Sequence, residues 1–297
     1  MSIEYNINAQ QTIEEAFETI LHANFLLLKK FEPMALNIEN NEGVHQMRVS
    51  LRKMRSLLSI FKPIFSKKVT CFLSKDMQYA GLELTKARDL DVYIEEHFQK
   101  KELTDTEKVM YKIAKKYQKE EYKKVARLIK SKRFKKFHKS IAHWISSKGW
   151  KDDINTEERE RLQENILPFA IEVIELYQKR VISLGADIEN LDDASLHKLR
   201  ILCKKLRYST DFFATLFDTK MSLFTDKLKK LQDVLGVLHD QSVIKELHKT
   251  LLKGKKNKKL HKFAQKLEMK QKEKSIEIKK LLKMEWEAFI QIKQPWL

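Results

Sequence analysis

Glycine, proline and cysteine are scarce in this chain, with six, four and two of them among 297 residues. A β-rich fold needs many tight turns built on glycine and proline, so their scarcity argues against one. The two cysteines, Cys71 and Cys203, form no CxxC pair, which predicts two small buried hydrophobic residues in a reducing compartment. The sequence has no apolar run near the roughly 18 residues of a membrane span, and no signal-peptide segment at its start. We therefore expect a cytoplasmic protein.

Charge, by contrast, is abundant and unbalanced. Lysine and arginine number 59 against 41 aspartates and glutamates, which gives a formal net charge of +18. This balance favours an acidic partner such as nucleic acid, an anionic membrane surface or another polyanion. The alternative is a soluble helical protein whose lysines form a solvated coat.

The hydrophobic periodicity is helical almost throughout. It predicts eight helices, with approximate bounds 11–31, 41–62, 67–98, 104–147, 156–184, 193–217, 220–252 and 256–292, the fourth interrupted near Ser131. Several connections are short, which makes the helices that they join antiparallel neighbours. We predict an all-α fold of two four-helix bundles with long helices, formed by residues 1–152 and 153–297.

An internal repeat supports this division. Residues 44–65, VHQMRVSLRKMRSLLSIFKPIF, align without a gap on residues 196–217, LHKLRILCKKLRYSTDFFATLF, at an offset of 152. Weaker matches on either side pair Phe17 with Phe169, Phe72 with Phe224, and Lys75 with Lys227. Two copies of a segment indicate one structural unit used twice, so we predict a tandem repeat with pseudo-symmetric halves.

The repeated helix carries its cations in an unusual place. At about 100° per residue, the basic side chains follow the edge of the apolar stripe rather than the opposite face. The matched cations are His45, Arg48, Arg52 and Arg55 in the first copy and His197, Arg200, Lys204 and Arg207 in the second. Asn41 and Asp193 resemble N-caps, which places each histidine in a first turn, where backbone amides and the helix dipole favour anions.

Like charges beside a core are costly unless an anion accompanies them. Arginine suits a phosphate ligand because its planar group grips two oxygen atoms at once. The pattern therefore predicts that the two cationic rows line a groove between helices and that an extended polyanion fills it.

The repeated pattern, V-H-x-x-R-x-x-x-R-x-x-R and then L-H-x-x-R-x-x-x-K-x-x-R, resembles that of the CHAD family of histidine-containing α-helical domains. Other segments similar to that family are LTKARDLDV at 84–92, ARLIKSKRFKKFHKSIAHWI at 126–145, LGVLHD at 235–240 and the closing Pro295-Trp296. The resemblance covers nearly the whole chain. It implies two pseudo-symmetric bundles around a basic cavity that binds inorganic polyphosphate, without catalysis or a cofactor, and association with polyphosphate or storage granules.

The binding role is carried onto the cations of the repeat and onto three lysines of the helices that follow. The predicted polyphosphate-binding residues are His45, Arg48, Arg52, Arg55, Lys75, His197, Arg200, Lys204, Arg207, Lys227 and Lys230. Arg127 and Arg133 are further candidates, whereas Arg88 is a candidate either for the ligand or for a structural ion pair with Asp89 or Asp91.

Two departures from a strict repeat bear on this assignment. Thr85 stands where the second copy has Gly236, and Lys204 replaces an arginine of the first copy. The lysine keeps the charge but loses the bidentate geometry of the guanidinium.

Three other functions compete with polyphosphate binding. Nucleic-acid binding fits the net charge, but no zinc-finger, RNP or basic-zipper pattern occurs, and aromatic residues do not interleave with the basic strip. A helix-bundle metal centre needs paired Glu-x-x-His motifs, and only Glu42-Gly43-Val44-His45 matches. A phosphatase or kinase that uses a phosphohistidine is disfavoured because no glycine-rich phosphate loop is present.

Overall fold

The computed structural model describes residues 4–65, 67–99, 102–152, 154–217 and 220–296, with side chains at all of them except 67–69, 220, 239–242 and 275. Its α-helices are α1 (Ile13–Phe31), α2 (Asn41–Ile60), α3 (Lys67–Glu83), α4 (Thr85–Phe98), α5 (Asp105–Lys130), α6 (Lys132–Ser146), α7 (Thr156–Leu162), α8 (Ile166–Gly185), α9 (Asp193–Phe213), α10 (Lys220–Leu251) and α11 (Lys258–Ile290). The described residues contain no β-strand, so the prediction of an all-α fold is confirmed. None of their helices is both long and apolar enough to span a bilayer.

Local sequence signals fix several helix starts. A Ser, Thr, Asp or Asn side chain can accept a hydrogen bond from a free amide of the first turn, and a glutamate at the third helical position can return it. Such reciprocal caps join Thr12 with Glu15, Thr104 with Glu107, and Asn155 with Glu158. The predicted interruption near Ser131 is confirmed, because this residue ends α5 and its hydroxyl accepts from the Phe134 amide at the start of α6.

The predicted third helix, 67–98, is two helices that meet at Leu84. In an unbroken helix the carbonyl of Gly81 would accept from the amide of Thr85. Here that carbonyl accepts from the Arg48 guanidinium at 2.7 Å and from the Thr85 hydroxyl at 3.0 Å. A cation of the repeated helix thus coincides with the interruption of the next helix.

The predicted fifth helix, 156–184, is also two helices, α7 and α8, separated by residues 163–165. Pro168 lacks an amide hydrogen and is tolerated only in the first turn of a helix. The structure satisfies this rule by starting α8 at Ile166, after the side chain of Asn165 caps the Leu167 amide.

The two halves of the chain pack in the same order. In the first half α1 packs on α2 and α2 on α3, and in the second half α8 packs on α9 and α9 on α10. The helices of the repeat, α2 and α9, also contact each other across the halves.

Among the described residues, the larger of two hydrophobic cores runs through both halves, and the smaller one joins α4 and α5 to the end of α10 and the start of α11. Phe61 of the first half lies 4.9 Å from Phe169 and 6.5 Å from Phe213 of the second, measured between ring centroids. At the starts of α1 and α8 the backbones also join, since the Ile13 amide donates to Glu164 and the Ile166 amide to Gln11. The division into bundles at 1–152 and 153–297 stays a prediction; its Asp153 lies outside the described residues, and the core is continuous across that point.

The two cysteines lie in different surroundings. Cys203 is fully buried in the apolar stripe of α9, as predicted, but Cys71 is exposed on α3, so the prediction of two buried cysteines was wrong for Cys71. The helical pattern places Cys71 beside the exposed Phe72, on the outer face of α3.

Candidate functional site

The apolar stripes that carry the repeated cations are buried in both copies. Met47, Leu51 and Met54 of α2 are at most 1% exposed, and Leu199, Cys203 and Leu206 of α9 are fully buried. Beside these stripes the cations are held at intermediate exposure, and these half-buried residues are His45, Arg48, Arg52, Arg200, Lys204 and Arg207.

Arg48 and Arg200 make equivalent contacts with the next helix. The Nη1 atom of Arg48 donates to the carbonyl of Gly81 and to the hydroxyl of Thr85. The Nη1 atom of Arg200 donates to the carbonyl of Gln232 at 3.1 Å, and a Cβ atom on Gly236 would lie only 2.6 Å from it. The missing side chain of Gly236 therefore leaves room for the second guanidinium, where the first copy supplies the Thr85 hydroxyl.

These contacts correct the register of the repeat after α2 and α9. Gly81 and Gln232 are related by an offset of 151, and the same offset pairs the buried Leu73, Met77, Ala80 and Leu84 with the buried Phe224, Leu228, Leu231 and Leu235. The pairing of Phe72 with Phe224 was therefore wrong, because Phe72 is 44% exposed and Phe224 is buried. Lys75 is not equivalent to Lys227 either, since the offset of 151 pairs Lys75 with Asp226.

Three arginines of α2 line a cleft of about 190 Å³ between α2, α3 and the start of α4. Arg48, Arg52 and Arg55 form its basic wall, and Gln78, Gly81 and Thr85 lie opposite. No carboxylate and no aromatic ring is among the residues that line this cleft. It offers guanidinium donors and neutral polar groups, a combination that suits an oxyanion.

Burial makes these cations electrostatically costly. It lowers the pKa of Arg48, and the nearby Arg52 lowers that pKa further, while Asp89 opposes this shift. The pKa of His45 is lowered by burial first and then by Arg88, so this imidazole is mainly neutral at pH 7. The Nε atoms of Arg52 and Arg207 are buried and have no hydrogen-bond partner among the described residues.

The cations of the two copies approach each other where α2 crosses α9. Lys53 of α2 is only 7% exposed, and its ammonium donates to the Tyr5 hydroxyl at 3.2 Å. Burial lowers the pKa of Lys53, and the charges that act on it include Asp211 and Arg207 of α9. Burial raises the pKa of Asp211, and the charges of Arg207 and Lys53 oppose that rise. Cations from both halves therefore share one region.

Sequence reasoning missed Lys53 and Asp211 as parts of this region. The alignment pairs Lys53 with Lys205, which signals a conserved position within the repeat but does not distinguish a buried ammonium from an exposed one. Asp211 aligns with Ser59, and its spacing of four residues from Arg207 places both on one face of α9.

The predicted N-caps were wrong by one residue. The side chain of Asn40 accepts from the Glu42 amide, and that of Asp192 accepts from the Ser195 amide. Both helices thus start one residue earlier than an Asn41 or Asp193 cap requires, and His45 and His197 follow the first turn rather than lie in it. Neither histidine therefore lies among the free amides of a first turn.

Of the eleven predicted residues, Arg48, Arg52 and Arg55 line the described cleft, and the other eight do not. His197, Lys75 and Lys230 are exposed, and Lys227 is half-buried. Lys75 precedes Gln78 by three residues and therefore lies on the same face of α3 as one wall of the cleft.

The additional arginines have other partners. Arg133 stacks on the Tyr79 ring at 3.7 Å and donates twice to Asp76, at 2.9 and 3.1 Å, while Arg127 donates to the backbone of its own helix. Asp91 accepts from Gln118 and Tyr122, and the nearby charge of Arg88 acts on both Asp91 and His45.

The described residues contain no group of three or more His, Cys, Asp or Glu side chains placed to hold a metal ion. The single Glu-x-x-His match, Glu42 to His45, therefore has no described set of further ligands around it. The side chains of His239 and Asp240, in the segment at 235–240, lie outside the described residues.

Comparison with known proteins identifies the fold and the family. A family model for the CHAD domain matches residues 19–249. The crystal structure of the CHAD domain from the plant Ricinus communis is similar, with a TM-score of 0.84 and 21% identity over 98% of this chain and 96% of that chain. PptA from Streptomyces chartreusis is similar with a TM-score of 0.67 and 13% identity, over 93% of this chain and 100% of that chain. No curated protein matches the sequence.

Proposed function

Because the chain belongs to the CHAD domain family, we propose that it binds inorganic polyphosphate, or a similar linear polyanion, in a basic groove that extends from the cleft between α2, α3 and α4 towards the crossing of α2 and α9. The proposal assigns the protein a binding role without catalysis. The observation that carries it is the cleft walled by Arg48, Arg52 and Arg55, together with the matched cations of α9.

A linear anion explains why the cations are arranged in rows. From His45 to Arg55 the helix rises about 15 Å, so one row serves several successive phosphate groups rather than one. The two rows come together near Lys53 and Arg207. A chain of phosphates that follows both rows would neutralise like charges that otherwise repel each other across the helix crossing.

Guanidinium groups with free donors favour phosphate oxygens. Arg48 uses Nη1 on backbone and side-chain acceptors, and the buried Nε atoms of Arg52 and Arg207 have no acceptor among the described residues. A bound phosphate would supply that acceptor and remove the cost of an unpaired buried donor.

The first test is equilibrium titration with long-chain polyphosphate, with single-stranded RNA as a competitor at equal phosphate concentration. Polyphosphate should win, because the cleft has no aromatic surface for base stacking. If eight cations engage, the logarithm of the affinity should fall with a slope near −6 against the logarithm of salt concentration, at roughly 0.7 per contact. A slope near −1, or displacement of polyphosphate by RNA, would contradict the proposal.

The matched control removes charge elsewhere. Lys262 and Lys266 are exposed on α11, far along the sequence from the groove. Changing both to alanine removes two positive charges, as Arg48→Ala with Arg52→Ala does. Only the arginine variant should lose most of its affinity for polyphosphate. Incubation of the protein with polyphosphate should release no orthophosphate, and turnover would overturn the non-catalytic assignment.

We also propose that the protein associates with polyphosphate or storage granules in the cytoplasm. A fluorescent fusion should concentrate on such granules, and the variant Arg48→Ala with Arg52→Ala should leave them at equal expression. Equal retention of both proteins would place granule association on another surface.

A further inference from the structure

The lysine that follows the cationic row behaves differently in the two copies of the repeat. In α2 the ammonium of Lys53 contacts the Tyr5 hydroxyl and has the carboxylate of Asp211 nearby. In α9 the equivalent Lys205 is half-buried, and its ammonium lies 5.8 Å from the centroid of the Tyr177 ring. Among the described residues, the Lys205 ammonium has no hydrogen-bond partner and no carboxylate acting on it.

Other cations gather around Lys205. Arg180 of α8 lies 5.6 Å from the centroid of the same Tyr177 ring, so the two cations share one aromatic side chain. Burial lowers the pKa of Lys205, and Arg180 and Lys62 lower it further. Lys62 belongs to the segment that follows α2, so this cluster also draws cations from both halves of the chain.

A cleft of about 530 Å³ between α8 and α9 adjoins this cluster. Leu176, Leu184 and Leu202 form its apolar lining, and Arg180, Lys179 and Ser183 supply its polar lining. Lys179 is already paired with Glu175 at 3.4 Å, whereas the charges that act on Lys205 are cationic. The cleft therefore contains Lys179, which is paired with a carboxylate, and lies next to Lys205, which is not.

The cluster is separate from the groove on the α2 side. Around α9, Lys205 lies about 160° from Arg207 at 100° per residue, so the two point to opposite edges of the exposed face. Lys204 lies between them. The basic surface of α9 thus continues from the α2 groove towards α8.

We propose that Lys205 and Arg180 form a second phosphoryl-anion site between α8 and α9. The aromatic ring supports the aliphatic part of the lysine and the guanidinium, and the anion supplies the negative charge that the cluster lacks. The identity of the anion rests on the proposed function, but the position of the site does not. The phosphoryl group belongs either to the far end of a chain held in the basic groove or to a separate short phosphate compound.

The test combines site-resolved protection with affinity. Inorganic triphosphate should slow chemical acetylation of Lys205 in the wild-type protein, measured by mass spectrometry. It should do so equally in Arg48→Ala with Arg52→Ala, because the site is separate from the groove. Unchanged acetylation of Lys205 with both triphosphate and long-chain polyphosphate would overturn the second site.

Variants then distinguish the source of the phosphoryl group. Lys205→Gln with Arg180→Gln should weaken the binding of long-chain polyphosphate roughly tenfold. Lys179→Gln should change that affinity by less than about twofold, because Glu175 already pairs with that lysine. A loss for both triphosphate and long chains indicates a separate short ligand, and a loss for long chains alone indicates the end of one chain. Equal effects of the Lys205 and Lys179 changes would contradict the proposal.

The two proposals fail in different ways. If Arg48→Ala with Arg52→Ala binds long-chain polyphosphate normally, the proposed function is wrong while protection of Lys205 still reports the second site. If Lys205 stays unprotected while that arginine variant loses affinity, only the second site is wrong.

Discussion

The two copies of the repeated helix keep the same anchor but differ in how their charge is compensated. Arg48 and Arg200 both donate to a backbone carbonyl of the following helix. In the first copy, three arginines then face a cleft whose lining contains no carboxylate, and Asp89 acts on Arg48 from outside that lining. In the second copy, Lys204 replaces an arginine, and Asp211 lies one turn from Arg207. The comparison indicates that the first copy holds the stronger part of the anion groove.

The largest expected effect comes from removing the arginines of one copy at a time. Arg48→Ala with Arg52→Ala should lower the affinity for long-chain polyphosphate roughly 100-fold, and Arg200→Ala with Lys204→Ala roughly tenfold, on the basis of about 1.5–3 kcal/mol for a charged hydrogen bond. Isothermal titration calorimetry measures both. Thermal unfolding serves as the control, because removal of half-buried like charges should leave the fold intact. A larger loss from the second pair would reverse the ranking of the copies.

An intermediate effect should follow from exchanging the residues at the α2–α9 crossing. Asp211→Asn removes a carboxylate that acts on Lys53 and Arg207, so affinity should rise about fivefold, equal to about 1 kcal/mol. Ser59→Asp introduces a carboxylate at the aligned position and should weaken binding by a similar factor. Asp226→Asn, an exposed aspartate on α10, is the matched control. Should Asp211→Asn weaken binding instead, this carboxylate is a structural partner of Lys53 rather than a competitor of the ligand.

The smallest expected effect is on the pH dependence of binding. The pKa of His45 is lowered in the free protein, and a bound polyanion favours the protonated imidazole, so binding takes up a proton. Affinity should therefore increase as the pH falls from 7 towards the lowered pKa, and decrease as the pH rises. His45→Gln should flatten this dependence, whereas His197→Gln should alter it less because His197 is exposed. Titrations should use long-chain polyphosphate, because it has few terminal phosphates that themselves titrate. Equal slopes of affinity against pH for the two variants would contradict the distinction between the histidines.

Much of the helical pattern was predictable because local chemistry encodes it. The caps at Thr12 and Thr104 and the interruption at Ser131 depend on side chains within three residues of the affected amides. The break before α8 had a local signal as well, since Pro168 belongs only in a first turn. By contrast, the break at Leu84 coincides with a contact from Arg48, 33 residues before Gly81, and no local pattern reveals it.

The candidate site was predictable only in part, for a related reason. The gap-free repeat correctly placed Arg48 and Arg200 at equivalent positions, but Leu73 follows Phe65 by eight residues whereas its equivalent Phe224 follows Phe217 by seven, and this shifted the pairing of Lys75. A one-residue difference in that spacing changes no hydrophobic pattern within either helix. The burial of Lys53 and the proximity of Asp211 depend on how α2 crosses α9, which periodicity does not determine.

The core that joins the halves has a mechanical consequence. Because Phe61 packs against Phe169 and Phe213, the halves cannot swing apart without exposing aromatic surface to water. The packing of these aromatic side chains therefore fixes the distance between the two cationic rows. A polymer would have to thread or lay itself into an opening of constant width, and the spacing of its charges, rather than any closing movement of the protein, would decide how well it fits.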